Sequence, residues 1–139
     1  MDVNCFCLNL ERDDSGDIGH SPATIFVVDD ERMVLDLAAM FLQPLGLNVR
    51  TFNDPRKALE EFPTAMPALV ITDYAMGDMT GIDLVRECRR VNPRQRVLLM
   101  SGTVDESMFA GESVKPDRFL AKPFQMSEFL EAVRALTKV

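Results

Sequence analysis

From residue 23 onward, short apolar runs rich in β-branched residues alternate with longer stretches whose apolar positions recur every three or four residues. That alternation predicts an α/β fold in which parallel strands are covered by amphipathic helices. The run "TIFVV" at 24–28 predicts the first strand. Val34, Leu37, Ala38, Phe41, Leu42 and Leu45 then repeat at helical spacing, and Pro44 and Gly46 close that helix. Residues 47–52 predict a second strand, after which Asp54 and Pro55 supply an N-cap and a first-turn proline for the helix "RKALEEF". The third strand, 68–72, is almost wholly apolar, which places it centrally with both faces covered.

The next helix begins near "TGIDLVRECRR", where Thr80 serves as cap and Asp83 complements the positive helix start. "RVLLM" at 96–100 and "RFLA" at 118–121 predict the fourth and fifth strands. Phe129, Ala132, Val133 and Leu136 define a terminal helix. Between the last two strands, residues 104–114 carry a weaker helical pattern interrupted by Gly111, in which Met108 and Phe109 read as core positions. Five strands and five helices result, in one domain over 23–139 without an internal repeat.

Residues 1–22 break this pattern. They hold five acids against Arg12, a net of -4, in a Gly/Ser/Pro-punctuated stretch that reads as a polar, mobile leader. The alternative for "CFCLNL" at 5–10 is docking as an extra strand or helical turn; the run is short and without clear periodicity. The length of 139 residues suits a single core, and 47% hydrophobic with 27% charged residues is ordinary for a soluble globular chain. A net charge of -7 argues against DNA binding by this chain alone, because nucleic-acid binders present a basic face. Cys5, Cys7 and Cys88 are odd in number and lack a Cys-x-x-Cys spacing, so a reducing cytoplasm is expected. The first ten residues lack the basic start and long apolar run of a signal peptide, and no stretch approaches the length of a membrane span.

The chemistry lies at the strand ends. In an open parallel sheet, ligands bind outside the carboxyl ends of the strands. Asp29 and Asp30 follow the first strand, Asp73 the third, Ser101 and Gly102 the fourth, and Lys122 and Pro123 the fifth. Taken singly, Asp30 or Asp73 is explained as a helix cap, Ser101 as a turn residue and Lys122 as a solvated surface group. Taken together, the acids form an electrostatic problem. Two carboxylates about 4 Å apart repel by roughly 4 kcal/mol at an effective dielectric near 20, so clustered acids need cations nearby. Lys122 supplies one charge, and a hard divalent ion with oxygen ligands, Mg²⁺, supplies two more. Such a site suits a phosphoryl group, with Asp73 as the nucleophile.

The blocks "VVDDE", "VITDYAMGDMTGIDL", "VLLMSG" and "FLAKPF", in that order over residues 23–137, resemble the receiver domain of two-component response regulators. The resemblance implies a doubly wound, flavodoxin-like (βα)5 fold with strand order 2-1-3-4-5. It implies that Asp73 accepts a phosphoryl group from a phosphohistidine on a sensor histidine kinase or a histidine phosphotransfer protein. Asp30 would ligate Mg²⁺ directly with Asp73, Asp29 would act through a bound water, and Ala75 would offer its backbone carbonyl. Lys122 and Ser101 would bind the phosphoryl group, Ser101 and Phe119 would form the switch, and the bond before Pro123 would be cis. Glu31 is left as the start of a helix.

Three departures from the family pattern carry expectations. Gly77 stands where proline is usual and should loosen the loop after Asp73; Phe119 lacks the hydroxyl of the common tyrosine; and Ala75 with Gly102 leaves the site open to hydrolysis of a phosphoaspartate. The competing function is a haloacid-dehalogenase-like Mg²⁺ phosphatase with its aspartyl nucleophile after the first strand, at Asp29. It lacks the Asp-x-Asp arrangement and the long substrate insertion that such enzymes need. The only histidine, His20, is in the leader, so the chain receives phosphate rather than supplying it. The expectation is therefore a signalling switch, not an enzyme beyond self-phosphorylation and self-dephosphorylation. It would be a stand-alone regulator or a module of a longer protein, with an unknown downstream protein target. A homodimer through the C-terminal helices and the fifth strand is the further expectation, where Glu112, Lys115, Asp117 and Arg118 supply charges that also suit a solvated surface.

Overall fold

The computed structural model describes residues 22–102 and 111–137. Cys5, Cys7, His20, Met108 and Phe109, the leader apart from Pro22, and most of the expected helix at 104–114 lie outside the described residues; residues 111–114 form a turn rather than helix. The strands are β1 (Thr24–Val28), β2 (Asn48–Phe52), β3 (Leu69–Asp73), β4 (Ala75–Met76), β5 (Met79–Thr80), β6 (Val97–Ser101) and β7 (Arg118–Ala121). The helices are α1 (Arg32–Leu42), α2 (Pro55–Ala65), α3 (Gly81–Val91) and α4 (Met126–Thr137), with a single 3₁₀ turn at Gln43–Leu45. Five strands form one parallel sheet in the order β2-β1-β3-β6-β7. Counting only these long strands, that is the order 2-1-3-4-5.

Side-chain alternation along the buried strands divides the core between the two faces. Ile25, Val27, Ile71, Leu98 and Met100 pack against Leu35, Ala38 and Leu42 of α1 and Phe129 and Val133 of α4. Phe26, Val28 and Val70 pack against Phe62 of α2 and Leu84, Val85 and Cys88 of α3. Every residue of β3 and β6 is buried, as expected for strands covered on both sides.

The structure corrects several local expectations. Leu37 is 38% exposed while Leu35 is 2% exposed, because the sheet-facing stripe of α1 runs through Leu35, Ala38 and Leu42. The helix "RKALEEF" continues through Pro63 to Ala65 and ends on Met66, whose φ of 42° lies in the left-handed region. Strand β2 starts one residue later than expected, and β3 and β6 are each displaced by one residue from the apolar runs, so Asp73 and Ser101 are the last paired residues of their strands. Asp73 aligns with Met100, and Ser101 with Ala121.

The stretch after Asp73 is not a loose loop. Strands β4 and β5 form a small antiparallel ribbon, Ala75 opposite Thr80 and Met76 opposite Met79. Gly77 takes φ 79° at the first turn position, the signature of a type II′ hairpin turn and a value that proline cannot adopt. Arg56 Nη2 reaches Asp78 Oδ2 at 3.0 Å and ties this turn to the start of α2. The ribbon then delivers the chain into α3, whose start is a capping box: the Asp83 amide donates to Thr80 Oγ1 at 3.1 Å, and the Thr80 amide to Asp83 Oδ2 at 3.0 Å.

Candidate phosphoryl-transfer site

Strand geometry brings residues far apart in the chain to one rim. Just past β1, the Asp29 amide donates to the Phe52 carbonyl at 3.1 Å, which fixes the carboxylate beneath the rim. Asp29 is fully buried; its Oδ1 accepts from the Glu31 amide at 2.9 Å and its Oδ2 from Lys122 Nζ at 2.9 Å. Asp73, 7% exposed at the end of β3, places Oδ1 3.1 Å from the same ammonium. Asp30 is exposed beside them, and ligand atoms of Asp29, Asp30 and Asp73 lie within 4.8 Å of one another. Lys122 is held from below, its amide donating to the Ser101 carbonyl at 2.9 Å, and the Lys122–Pro123 bond is cis.

This is how the adjacent acids after β1 are tolerated. Burial raises the carboxyl pKa of both Asp29 and Asp73 above the usual carboxylate value, and Lys122 opposes that rise through hydrogen bonds and charge. Burial alone would lower the Lys122 pKa, but its hydrogen bonds and charge interactions with Asp29 and Asp73 outweigh that and leave it raised. Three carboxylates against one ammonium leave two negative charges uncompensated. An all-oxygen cluster with that surplus fits a hard divalent cation such as Mg²⁺. Glu31 also belongs to the charge balance: its Oε1 lies 3.7 Å from Lys122 Nζ, so it is more than a helix start.

The remaining expected residues surround this centre. Ser101 is buried at the end of β6, one position beyond the residue that aligns with Asp73. Phe119, on β7 opposite Leu99, is half-buried and packs with Tyr74 against Ile82 and Leu99. Ala75 opens the ribbon two residues after Asp73 and is exposed. A Cβ added at Gly102 would meet Lys122 Cβ at 3.5 Å, an ordinary contact, so that side of the site is open.

Gly81 is a site residue that the pattern of the sequence does not single out. A Cβ there would sit 2.5 Å from the Asp73 carbonyl oxygen and 2.6 Å from Leu99 Cδ1. Its amide donates to the Tyr74 carbonyl at 2.7 Å, and the Tyr74 amide in turn donates to the Met100 carbonyl at 2.9 Å. Thr72 adds its hydroxyl, donating to the Asp73 carbonyl at 3.0 Å. The only sequence signal is a glycine directly after a helix-capping threonine, and glycine also stands at helix starts where nothing crowds its Cα.

Comparison with known proteins agrees with the fold and identifies the family. The family profile described as response regulator receiver domain matches residues 25–134. The alkaline phosphatase synthesis transcriptional regulatory protein SphR of Synechococcus elongatus is 33% identical over 129 residues, covering 85% of this chain and 50% of that protein. The chain thus spans about half the length of such curated relatives. Among solved structures, the chemotaxis response regulator CheY4 of Vibrio cholerae is 27% identical with a TM-score of 0.75, covering 83% of this chain and 98% of that one. A CheY-like receiver domain protein of Methanospirillum hungatei, at 22% identity, shares the fold with a TM-score of 0.77 over 85% of this chain and 95% of its own.

Proposed function

Because the chain belongs to the response regulator receiver domain family, we propose that residues 23–139 form a phosphoacceptor switch in which Asp73 takes a phosphoryl group from a partner phosphohistidine. One Asp73 carboxylate oxygen attacks phosphorus, the phosphorus–nitrogen bond breaks, and the imidazole leaves with a proton. The observation that carries this reading is the Lys122 ammonium shared between two buried carboxylates, at 2.9 Å from Asp29 and 3.1 Å from Asp73. Mg²⁺ held by Asp30, Asp73 and the Ala75 carbonyl, with Asp29 acting through water, would neutralise charge on the phosphoryl oxygens. Lys122 keeps its bond to Asp29 and turns its second contact from Asp73 to a phosphoryl oxygen. Ser101 hydrogen-bonds the same group, and Phe119 follows it further inward against Tyr74, Ile82 and Leu99.

The donor would be a sensor histidine kinase or a histidine phosphotransfer protein. An exposed apolar stripe on α1, Met33 at 82%, Leu37 at 38% and Met40 at 63%, starts beside Asp30 and gives such a partner a place to dock. A homodimer would use α4 and β7, where Arg118 is exposed while Asp117 and Glu112 are engaged by Arg89 and Arg86. The dehalogenase-like alternative needs Asp29 as nucleophile, but that carboxylate is fully buried with both oxygens engaged.

The test is acetyl phosphate or BeF₃⁻ with Mg²⁺, followed by intact mass and by NMR shifts at Ser101 and Phe119. Wild type is expected to form the adduct and shift both residues, and Asp73→Asn to do neither. An adduct that survives in Asp73→Asn would move the nucleophile to Asp29 and overturn the assignment.

A further inference from the structure

Strand β3 runs Leu69, Val70, Ile71 and then Thr72, which is as fully buried as the apolar residues before it. A strand covered on both faces would be served as well by valine there. Valine has nearly the same shape, suits a strand equally and leaves no hydroxyl to desolvate. The hydroxyl of Thr72 therefore calls for an account beyond packing.

That hydroxyl touches the chain on both sides of the entry into the ribbon. Thr72 Oγ1 donates to the Asp73 carbonyl at 3.0 Å, and Met76 Sδ lies 3.6 Å from the same oxygen. The carbonyl is the stronger acceptor for the single proton, and the thioether adds a weak contact. Tyr74 and Ala75 lie between these two points of attachment. Met76 is itself buried, so the span from Asp73 to Met76 is drawn down over one hydroxyl.

The peptide unit that joins Asp73 to Tyr74 is thereby held at both of its polar groups. Its N–H donates to the Met100 carbonyl at 2.9 Å, and its C=O accepts from Thr72. Gly81 crowds the same carbonyl oxygen, since a Cβ there would stand 2.5 Å away. Because the peptide is planar, fixing both groups fixes its orientation, which constrains where the Asp73 carboxylate and residue 75 can stand. The pairing of β3 with β1 has already ended at Thr72, so the ladder gives Asp73 no register partner on that side. Of these restraints on the Asp73–Tyr74 peptide, the Thr72 hydroxyl is the one that a side chain supplies.

We propose, resting on the reading of Asp73 and Ala75 as Mg²⁺ ligands, that Thr72 is a positioning residue whose hydroxyl sets those two residues for a small, geometrically demanding cation. Mg²⁺ requires near-octahedral coordination, whereas Ca²⁺ accepts flexible geometry. Removing the hydroxyl leaves every carboxylate and its charge in place, so Mg²⁺ should be weakened far more than Ca²⁺. A threonine that only filled space would move both ions alike or neither.

The test is titration of the intact chain with Mg²⁺ and with Ca²⁺, followed by the NMR shifts of the Tyr74 and Ala75 amides, in wild type, Thr72→Val and Thr72→Ser. The amides of Val97 and Leu98, in buried β6, report that each variant is folded. Thr72→Val is expected to bind Mg²⁺ about tenfold more weakly than wild type, the lower end of what partners of metal ligands contribute. Its Ca²⁺ affinity should stay within about twofold. Thr72→Ser keeps the hydroxyl and is expected to recover Mg²⁺ binding to within about threefold of wild type. Equal Mg²⁺ affinity in Thr72→Val and wild type would overturn the proposal. So would a Thr72→Ser as weak as Thr72→Val, because that outcome traces the effect to the packing of the methyl group. A wild type that binds neither ion at millimolar concentration would overturn the metal-site reading as well, which tells the two failures apart.

Discussion

The two ends of the sheet each hold an ion pair, and the pairs are built differently. At the carboxyl ends of the strands, Lys122 serves Asp29 and Asp73 while Glu31 approaches the same cation and Asp30 lies beside the two acids. At the opposite end, Arg89 donates to the Gln95 carbonyl at 3.2 Å, to the Lys115 carbonyl at 2.6 Å and to Asp117 Oδ2 at 3.0 Å. That Asp117 oxygen also accepts from the Val97 amide at 2.7 Å, so the clamp fastens the start of β6 to the approach of β7. One carboxylate meets one guanidinium there, and the charges balance. The balanced pair holds chain segments together; the unbalanced one leaves negative charge that a cation would neutralise. The same type of bond thus serves structure or chemistry according to its surplus of charge.

Substitutions can break this contrast. The largest effect is expected from Gly81→Ala, which must displace the Asp73 main chain and Leu99 and should cost about 2–3 kcal/mol in urea unfolding. Gly102→Ala, with an ordinary 3.5 Å contact, should change stability by less than about 0.5 kcal/mol. Next comes Arg89→Ala, which removes three hydrogen bonds at a partly exposed site and should cost about 2 kcal/mol without abolishing phosphorylation of Asp73.

Acid-to-amide changes give the most direct comparison. In Mg²⁺-free buffer near neutral pH, Asp73→Asn is expected to raise stability by about 1 kcal/mol, because it relieves a buried, crowded charge. Asp117→Asn should lower stability by a similar amount, about 1 kcal/mol, because it weakens a charge-assisted bond that has no rival. If both variants shift stability in the same direction, the distinction between surplus and balance fails.

The smallest effect concerns Asp83. Its hydrogen bond from the Thr80 amide holds its carboxyl below the usual carboxylate value. A depressed folded-state pKa contributes stability above the unfolded value of 3.8, and that contribution is lost as pH falls through the folded value. Asp83→Asn should therefore cost about 0.5 kcal/mol at pH 7, a deficit that unfolding curves should show shrinking as pH falls below 3.8.

The strand and helix alternation was legible because a sheet covered on both faces requires apolar runs, and the convergence of Asp29, Asp30, Asp73 and Lys122 follows once those strands are parallel. What sequence pattern does not carry is the main-chain ladder. Asp73 and Ser101 are polar, so the apolar runs stop before them although their pairing continues. Gly81 matters only because the Asp73 carbonyl comes within 2.5 Å of where a Cβ would stand, a proximity created by tertiary packing. Leu35 and Leu37 are alike in composition, and only the rotation of α1 decides which is buried. Arg89 and Asp117 each look like ordinary surface charge until the fold brings together residues 28 positions apart.

The uncompensated charge at the rim also acts at a distance. A chain with a net charge of -7 whose Asp73 stands among other acids presents a repulsive potential to any anion that approaches. For a small anionic donor such as acetyl phosphate, added salt should then quicken encounters rather than slow them, as screening shortens the reach of that field to about 10 Å at 0.1 M. On the function proposed above, the rim would filter donors by their rate of arrival, favouring those that dock first through an uncharged surface such as the α1 stripe.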